Sequence, residues 1–425
     1  MPEQPDVPRR VEHLFRDHYG RMVAALVGVF GPERLDLVED VVQEALLRAM
    51  RTWPFRGVPD RPRAWLTKVA RNLALDAVRR SATLGRVERE LVAWTPAAAE
   101  PEDVDPERIP DDRLRMMFLC CHPELPHEAR VALTLKTLGG FGVAEIAHAL
   151  RGKPATIAQR LTRAKARLQR SGIAFELPLR EDLGPRLDSV LDVLYLMFNE
   201  GYHAHRGDAL LRPELVEEAV RLAGLLLEMP ETAQPRVHAV LALMLFAGAR
   251  ATARTDDDGG LLTLGLQDRS RWDRGWIRAG FHHLRASLAA DQPSPYHVEA
   301  AIASCHAAAP TYAETDWTAI LRRYDELVAL RDTPIVRLNR AVARAKVDGA
   351  AAALADLDAI AGDAALAGYA LLPAVRGHLL WQLDRRSEAE ASLAEALRLA
   401  GTTPERRLLA RRLAACRAGD SAPAL

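Results

Sequence analysis

The sequence predicts an all-α protein: two small helical domains, the second a helix-turn-helix, joined by an acidic linker and followed by a repeat-like helical extension. Three observations carry that prediction. Ala, Leu, Arg and Glu dominate, and apolar residues recur at three and four positions rather than at two, so strand signals are scarce. The 425 residues suffice for about two to four domains of ~100–200 residues each. Equal totals of basic and acidic side chains, 57 of each, conceal a segregated charge. Residues 1–95 hold 16 basic and 13 acidic side chains, 96–126 hold 3 and 8, and 127–172 hold 9 and 2. One short block is strongly basic, which marks a candidate polyanion-binding element.

The elements follow in chain order. Leu35–Arg51 reads as a helix with Val38, Val42, Ala45 and Ala49 on one side. Pro54 and the run Gly57 to Pro62 then make a rigid loop. A second helix covers Arg63–Arg80. The stretch 95–112, TPAAAEPEDVDPERIPDD, is Pro-rich and acidic without an apolar period, so it is a linker. Residues 113–175 read as short helices ending in a long basic one, and amphipathic helices fill the chain from about 185 onward. The expected divisions are 1–94, 95–112, 113–175, 185–310 and 311–425. Within the last, Leu338–Gly349 resembles the stretch Arg376–Arg385, and Asp348 and Asp384 lie 36 residues apart. That offset is close to the ~34-residue helix-hairpin repeat, though two units must lean on neighbouring helices.

Glu145–Leu150, the turn Arg151-Gly152-Lys153-Pro154 and Ala155–Arg170 read as helix, turn, helix. At about 100° per residue, Ile157, Leu161, Ala164 and Leu168 cluster on one side of the last helix. Thr156, Gln159, Arg160, Arg163, Arg167 and Arg170 spread over the other. No acid occurs between Ala155 and Arg170, whereas solvated charged faces usually mix both signs. This pattern fits a helix laid in the DNA major groove. On Arg63–Arg80 a second stripe holds Lys68, Arg71, Asn72 and Arg79, with Leu66, Val69, Leu73 and Ala77 pointing elsewhere. Trp65 at its border either stacks on bases of single-stranded nucleic acid or anchors the helix in the core.

Other chemistries find little support. Histidines 203, 205, 282, 283, 297 and 306 form no HExxH and no zinc spacing with cysteine, so no metal and no cofactor is expected. Asp256-Asp-Asp-Gly-Gly lacks the calcium-loop pattern and reads as a tight acidic turn. No GxGxxG or Walker A sequence occurs, and an enzymatic role is not expected. Cys120, Cys121, Cys305 and Cys416 read as small buried thiols. The N-terminus MPEQPDVPRR is polar, and the longest apolar run, Ala239–Ala249, is short of the ~20 residues a membrane span needs. A cytoplasmic protein with no membrane contact is expected. Gln267 to Arg274 reads as an inter-helix connection pinned by Arg–carboxylate pairs, or as a contact or signal site made of Asp268, Arg269, Arg271 and Trp272 with Asn199, Glu200 and Tyr202.

Two nucleic-acid elements on either side of an acidic linker resemble the bacterial extracytoplasmic-function sigma factors. VEDVVQEALLRAM (38–50) and RAWLTKVARNLALDAVRR (63–80) look like their region two. EARVALTLKTLGGFGVAEIAHAL and ATIAQRLTRAKARL, within 128–168, look like their region four. YLMFNEGYHAH (195–205), DDDGGLLTLGLQDRSRWDR (256–274) and AAIASCHA (300–307) look like the subgroup with a long tetratricopeptide-repeat-like extension. The resemblance implies a promoter-specificity subunit whose partners are core RNA polymerase and promoter DNA. It implies that Asp40, Gln43, Glu44 and Arg48 dock on the polymerase clamp. Arg56, Arg61 and Arg63 fall on a loop capturing a flipped base of the minus-ten element, and Trp65, Lys68, Arg71 and Asn72 on the helix holding the melting start. Thr156, Gln159, Arg160 and Arg163 fall on the helix reading the minus-thirty-five element, with Lys165 and Arg167 further along it. The turn departs from the family's usual Gly, apolar residue, Ser: here it is Arg151-Gly152-Lys153-Pro154, and Pro154 suits a first helical turn. The extension is expected to regulate or support activity, with an intramolecular contact to the sigma domains as one route. An ordinary helix-turn-helix regulator would leave Val38–Arg80 without a role, and a protein-only repeat scaffold would leave the basic block unexplained.

Overall fold

A computed structural model describes residues 7–81, 108–150, 153–173, 175–179, 181–202, 211, 213–256 and 260–423. These are helical, with no strand among the described residues and one isolated bridge between Thr255 and Leu261. The chain divides into two compact units, 1–193 and 194–425.

In the first unit α1 (Val7–Phe30), α2 (Leu35–Arg56) and α3 (Pro62–Ser81) pack on one another. Val38, Val42, Ala45 and Ala49 are buried as the period required. α2 runs past Arg51 and through Pro54 to end at Gly57, whose φ of 79° suits glycine. Pro54 sits in the last turn, where its missing N–H forfeits little of the helix ladder. The seam of α3 is Leu66, Ala70, Ala74 and Val78, while Val69, Leu73 and Ala77 are only half-buried. The seam therefore follows i, i+4 spacing and uses two alanines that allow a close approach.

Next come α4 (Arg108–Cys120), α5 (His127–Thr137), α6 (Val143–Ala149) and α7 (Pro154–Ser171). α4 begins inside the stretch expected as linker; the linker's residues 95–107 lie outside the described residues. The adjacent thiols bind α4 to α5, with Cys120 Sγ 3.1 Å from Thr137 Oγ1 and Cys121 Sγ 3.6 Å from Thr134 Oγ1. Burial pushes the Cys121 thiol up to about 12, so it packs as a small hydrophobe. The first half of α8 (Leu183–Tyr202) belongs to this unit. Arg130 Nη1 donates to Ser189 Oγ at 2.7 Å, Ser189 donates to the Cys121 carbonyl, and Arg186 donates to the Phe118 carbonyl. The boundary expected near 175–185 therefore falls at Val193.

The two helical groups of this unit dock through glycine. A Cβ on Gly20 of α1 would run into the Leu138 carbonyl oxygen, and one on Gly140 would press on Tyr19. Gly20→Ala is expected to destabilise this unit by about 1–3 kcal/mol, read as a lower midpoint in chemical denaturation; an unchanged midpoint would refute that packing.

The second unit continues with α9 (Pro213–Leu225), α10 (Pro235–Gly248), α11 (Arg274–Ser287), α12 (Pro295–Ala308) and α13 (Trp317–Leu330). α14 (Pro334–Val347) pairs with α15 (Ala350–Ile360), α16 (Leu371–Gln382) pairs with α17 (Arg386–Leu399), and α18 (Thr403–Ala418) closes the series. The repeat detected in the sequence corresponds to these two hairpins. Pro235–Ala253 is apolar and long enough to cross a membrane, but 67% of its window is buried, as a core helix would be. The expected division at 310/311 is absent: Val298 and Ile302 of α12, Ile320 and Leu327 of α13, and Val336 and Ala343 of α14 form one apolar cluster. Ion pairs tie the outer faces, with Arg340 bridging Asp325 at 2.7 Å and Asp356 at 2.8 Å.

Candidate nucleic-acid interface

α6 and α7 form the helix-turn-helix. Gly142 N–H donates to Glu145 Oε2 at 2.7 Å, which starts α6. Pro154 occupies the first turn of α7, and Gly172, at φ 63°, ends it. Residues 151 and 152 of the turn lie outside the described residues. Ile157, Leu161, Ala164 and Leu168 are buried, which fixes the rotation of the helix. Thr156, Gln159, Arg163, Arg167 and Arg170 are exposed on the other side. Arg163 has no ion-pair partner among the described residues; Arg167 lies 3.8 Å from Glu124.

Two predicted contacts sit on the flanks of the buried stripe, and acids hold both. Arg160 pairs with Glu128. Lys165 is no part of the exposed face: its Nζ lies 2.7 Å from Asp36 Oδ1 and 2.7 Å from Glu39 Oε2, and its side chain is 12% exposed. The reason is angular. Lys165 lies about 40° from Leu161 at 100° per residue, so it leans towards α2 rather than solvent. Burial would lower its ammonium, but Glu39 and Asp36 outweigh that and hold it above the ordinary lysine value. Glu39, buried, was not anticipated. Its signal was an acid at an interior position, one residue after Val38.

On α3, Lys68, Arg71, Asn72 and Arg79 are exposed together, and Lys68, Arg71 and Arg79 have no ion pair among the described residues. Trp65 is half-buried, its ring centre 5.6 Å from that of buried Trp53 in an edge-on arrangement. Arg56, Arg61 and Arg63 are exposed on the loop and its helical flanks. Phe55 beside them is 88% exposed, a residue sequence reasoning missed. On α2, Asp40, Gln43 and Arg48 are exposed and Glu44 is half-buried; Arg48 Nε donates to Glu44 Oε1 at 3.1 Å. Leu47 and Met50 stand exposed on the same side as Asp40 and Gln43. Outward apolar residues beside charged ones mark a protein-binding surface, and their i, i+3 spacing was the signal available in the sequence.

The extension residues separate into two groups. Asn199 bonds the Tyr195 hydroxyl, which donates to Glu299 Oε2 at 2.6 Å. Tyr202 instead carries the Arg254 guanidinium over its ring at 4.0 Å, and Glu200 is buried. The Gln267–Trp272 connection is pinned by carbonyls, not by the carboxylates expected. Arg269 donates to the carbonyls of His306 (2.7 Å) and Ala309 (2.5 Å) and to Thr315 Oγ1. A cation suits carbonyls at the end of α12 because they carry the negative end of the helix dipole. Arg271 donates to the Thr252 carbonyl, Asp268 accepts from Ser270 N–H, and Trp272 is 3% exposed. Residues 257–259 of the acidic turn and His203 and His205 lie outside the described residues.

Two histidines, His378 buried and His306 half-buried, set a pH dependence. Burial, with the charges of Arg250 and Arg269, lowers His306 to about 3; burial, with those of Arg412 and Lys346, lowers His378 to about 3. Burial thus favours the neutral form of each ring in the folded unit. Their contribution is present above the ordinary histidine value near 6.5 and is lost as pH falls towards 3. Each tenfold change in proton affinity is worth about 1.4 kcal/mol. The melting temperature of the extension is expected to fall between pH 7 and pH 4, and less steeply for His378→Leu. Equal slopes in calorimetry would refute His378 as a source.

Comparison with known proteins matches residues 14–83 to sigma-70 region 2, residues 115–168 to sigma-70 region 4, and residues 186–288 to a family of unknown function, DUF6596. The chain is 40% identical to an uncharacterized protein of Rhizobium meliloti over 87% of this chain and 88% of that one. It is 28% identical to the probable ECF RNA polymerase sigma factor SigI of Mycobacterium tuberculosis, over 56% of this chain and 90% of the relative. With the ECF RNA polymerase sigma factor SigL of the same species it shares 36% identity over 29% of this chain and 67% of SigL. No solved structure matches. Two sigma domains in this order, with an exposed basic face on the helix-turn-helix and a helical extension behind them, make the chain an alternative sigma factor of the extracytoplasmic-function family, directing promoter-specific transcription initiation.

Proposed function

We propose that α2 meets core RNA polymerase through Asp40, Gln43, Leu47 and Met50, with Glu44 and Arg48 beside them. α7 reads the upstream promoter element with Thr156, Gln159, Arg163 and Arg167, and Arg160 joins when Glu128 releases it. The loop and helix bearing Arg56, Arg61, Arg63, Trp65, Lys68, Arg71, Asn72 and Arg79 hold the melting start. The observation that carries this reading is the selective absence of acids. Arg163 on α7 and Lys68, Arg71 and Arg79 on α3 are exposed and unpaired among the described residues, whereas Arg160 and Lys165 on the flanks of α7 are paired. Unpaired cations are the ones free to neutralise phosphates.

The protein acts in the cytoplasm as an initiation factor, not as an enzyme. Lys165 of region four rests on Asp36 and Glu39 of region two, and that docking keeps the free chain from reading two separated elements. Core polymerase holds the two regions apart, after which the second DNA contact is effectively intramolecular.

Run-off transcription with purified core polymerase on promoter-bearing genomic fragments tests the reading. A defined start site that depends on the protein supports it. DNA binding without core and without any gain in initiation favours the helix-turn-helix regulator. The extension governs output: a chain ending after Val193, which keeps Arg186 and Ser189 on region four, is expected to differ from the full chain in the same assay. A rise means restraint by the extension, a loss means support, and equal output refutes a role.

A further inference from the structure

The second unit contains cations that no carboxylate pairs among the described residues. Several arginines on its outer faces are paired: Arg331 with Glu299, Arg337 with Asp332, Arg344 with Asp356, Arg376 with Asp358 and Arg385 with Glu388. Arg250, Arg269, Lys346 and Arg412 differ. None has a carboxylate within ion-pair distance among the described residues, though Arg269 is buried and the other three are half-buried. Burial lowers Lys346 and Arg412, and no acid pulls either back. Glu314 acts on Arg269 only at range.

These four cations belong to one wall. The guanidinium carbons of Arg250 and Arg269 lie 5.5 and 4.8 Å from the centre of the Trp272 ring. Arg269 holds the His306 carbonyl, and the His306 ring meets Trp317 at 5.3 Å. Lys346 Nζ lies 5.2 Å from the Tyr312 ring and 5.9 Å from that of Trp317. Lys346 and Arg412 both act on buried His378. Along the wall Arg269 Nε, Trp272 Nε1 and the ring nitrogens of His378 are buried and have no hydrogen-bond partner among the described residues. Buried charges are ordinarily paired, because an uncompensated one costs several kcal/mol. Cation–π contacts of about 0.5–2 kcal/mol offset only part of that. Among the described residues the wall is short of negative charge.

We propose that this wall is a docking site for an acidic peptide segment of a partner protein. Its cations come from the chain just after α10, the connection before α11, α14 and α18, so a single small anion meets one of them and leaves the rest. Packed helices lie about 8–10 Å apart, and an extended peptide advances about 3.3 Å per residue. A strand with acids roughly every third residue would meet successive cations. Nucleic acid fits less well, because cations already cover the rings of Trp272, Tyr312 and Trp317, leaving those faces unavailable to bases.

The inference is independent of promoter recognition and is tested on the full chain by fluorescence anisotropy with a labelled oligoglutamate. Binding is expected to weaken by about tenfold or more, roughly 1.4 kcal/mol per tenfold, in the double variant Lys346→Gln, Arg412→Gln, and to be kept by Lys346→Arg. Arg385→Gln, on a paired outer site, and Arg163→Ala, on the DNA-facing helix, are expected to leave it unchanged. Circular dichroism guards against unfolding, and Arg250→Gln supplies a second charge removal should the double variant not fold. The proposal is overturned by equal binding in these wall variants, by loss in Arg163→Ala, by oligothymidylate binding more tightly than the peptide at this wall, or by inorganic phosphate displacing the peptide at matched charge concentration.

Discussion

Arg163→Ala is expected to cut protein-dependent run-off transcription by about tenfold or more while leaving stability within about 0.5 kcal/mol. Arg163 is exposed on the α7 face and its guanidinium is unpaired among the described residues, so its removal breaks no ion pair among them. A good bidentate contact to a base is worth about 1–3 kcal/mol of discrimination, enough to account for the loss. Arg160→Ala is a less clean test, because it also removes the partner of Glu128; exposed pairs of that kind contribute about 0–1 kcal/mol. The salt dependence assigns the partner. If Arg163 meets a phosphate, its removal lowers affinity across all sequences and flattens the salt slope; if it meets a base, its removal relaxes the preference at one position. Unchanged transcription from a defined start site would show that α7 does not read the promoter through this face.

The all-α class and the helix-turn-helix were legible because they depend on period. Ile157, Leu161, Ala164 and Leu168 recur at helical spacing and are buried; the same holds for Val38, Val42, Ala45 and Ala49. The two hairpins of the extension were legible through the Asp348 and Asp384 turns. What depends on distant partners was not. Lys165 and Asp36 are 129 residues apart, and no local rule connects a lysine on a basic helix to an acid on another. The pins of the Gln267–Trp272 connection were misjudged for a related reason: the carbonyls that hold Arg269 belong to every residue type, so composition gives no hint of them. The boundary at Val193 escaped because Arg186 and Ser189 look like ordinary surface residues until their partners, the carbonyls of Phe118 and Cys121 and the Arg130 guanidinium, are in place. Of the alternatives for Trp65, the structure shows the packing: its ring meets Trp53 and stays half-buried beside the basic stripe.

Lys165→Met is expected to raise DNA binding by the free chain about tenfold or more while core-dependent transcription is kept or increased. The Lys165 side chain is 12% exposed and that of Glu39 only 5%, while Asp36, at 59%, remains largely hydrated. The pair with Glu39 therefore carries most of the effect. Removing one partner of a buried pair costs about 3–5 kcal/mol, because the other charge is stranded. Region four can relieve that cost by leaving region two, which returns Glu39 to water and lets the exposed face of α7 and the basic stripe of α3 reach separate stretches of DNA. The sequence-based assignment of Lys165 to DNA predicts the opposite, a fall in both binding and transcription. Replacing both charges separates the two accounts. Lys165→Met with Glu39→Leu strands nothing, and apolar replacements of buried pairs are often neutral or stabilising, so the double variant should dock again and bind DNA as weakly as the unaltered chain. If Lys165 contacts DNA, the double variant stays as defective in transcription as the single one, since the lysine is missing from both. Restored closure, seen as recovered hydrogen-exchange protection in α1 and α5 together with full core-dependent initiation, would leave Lys165 as the residue that holds the two promoter-reading regions together before polymerase parts them.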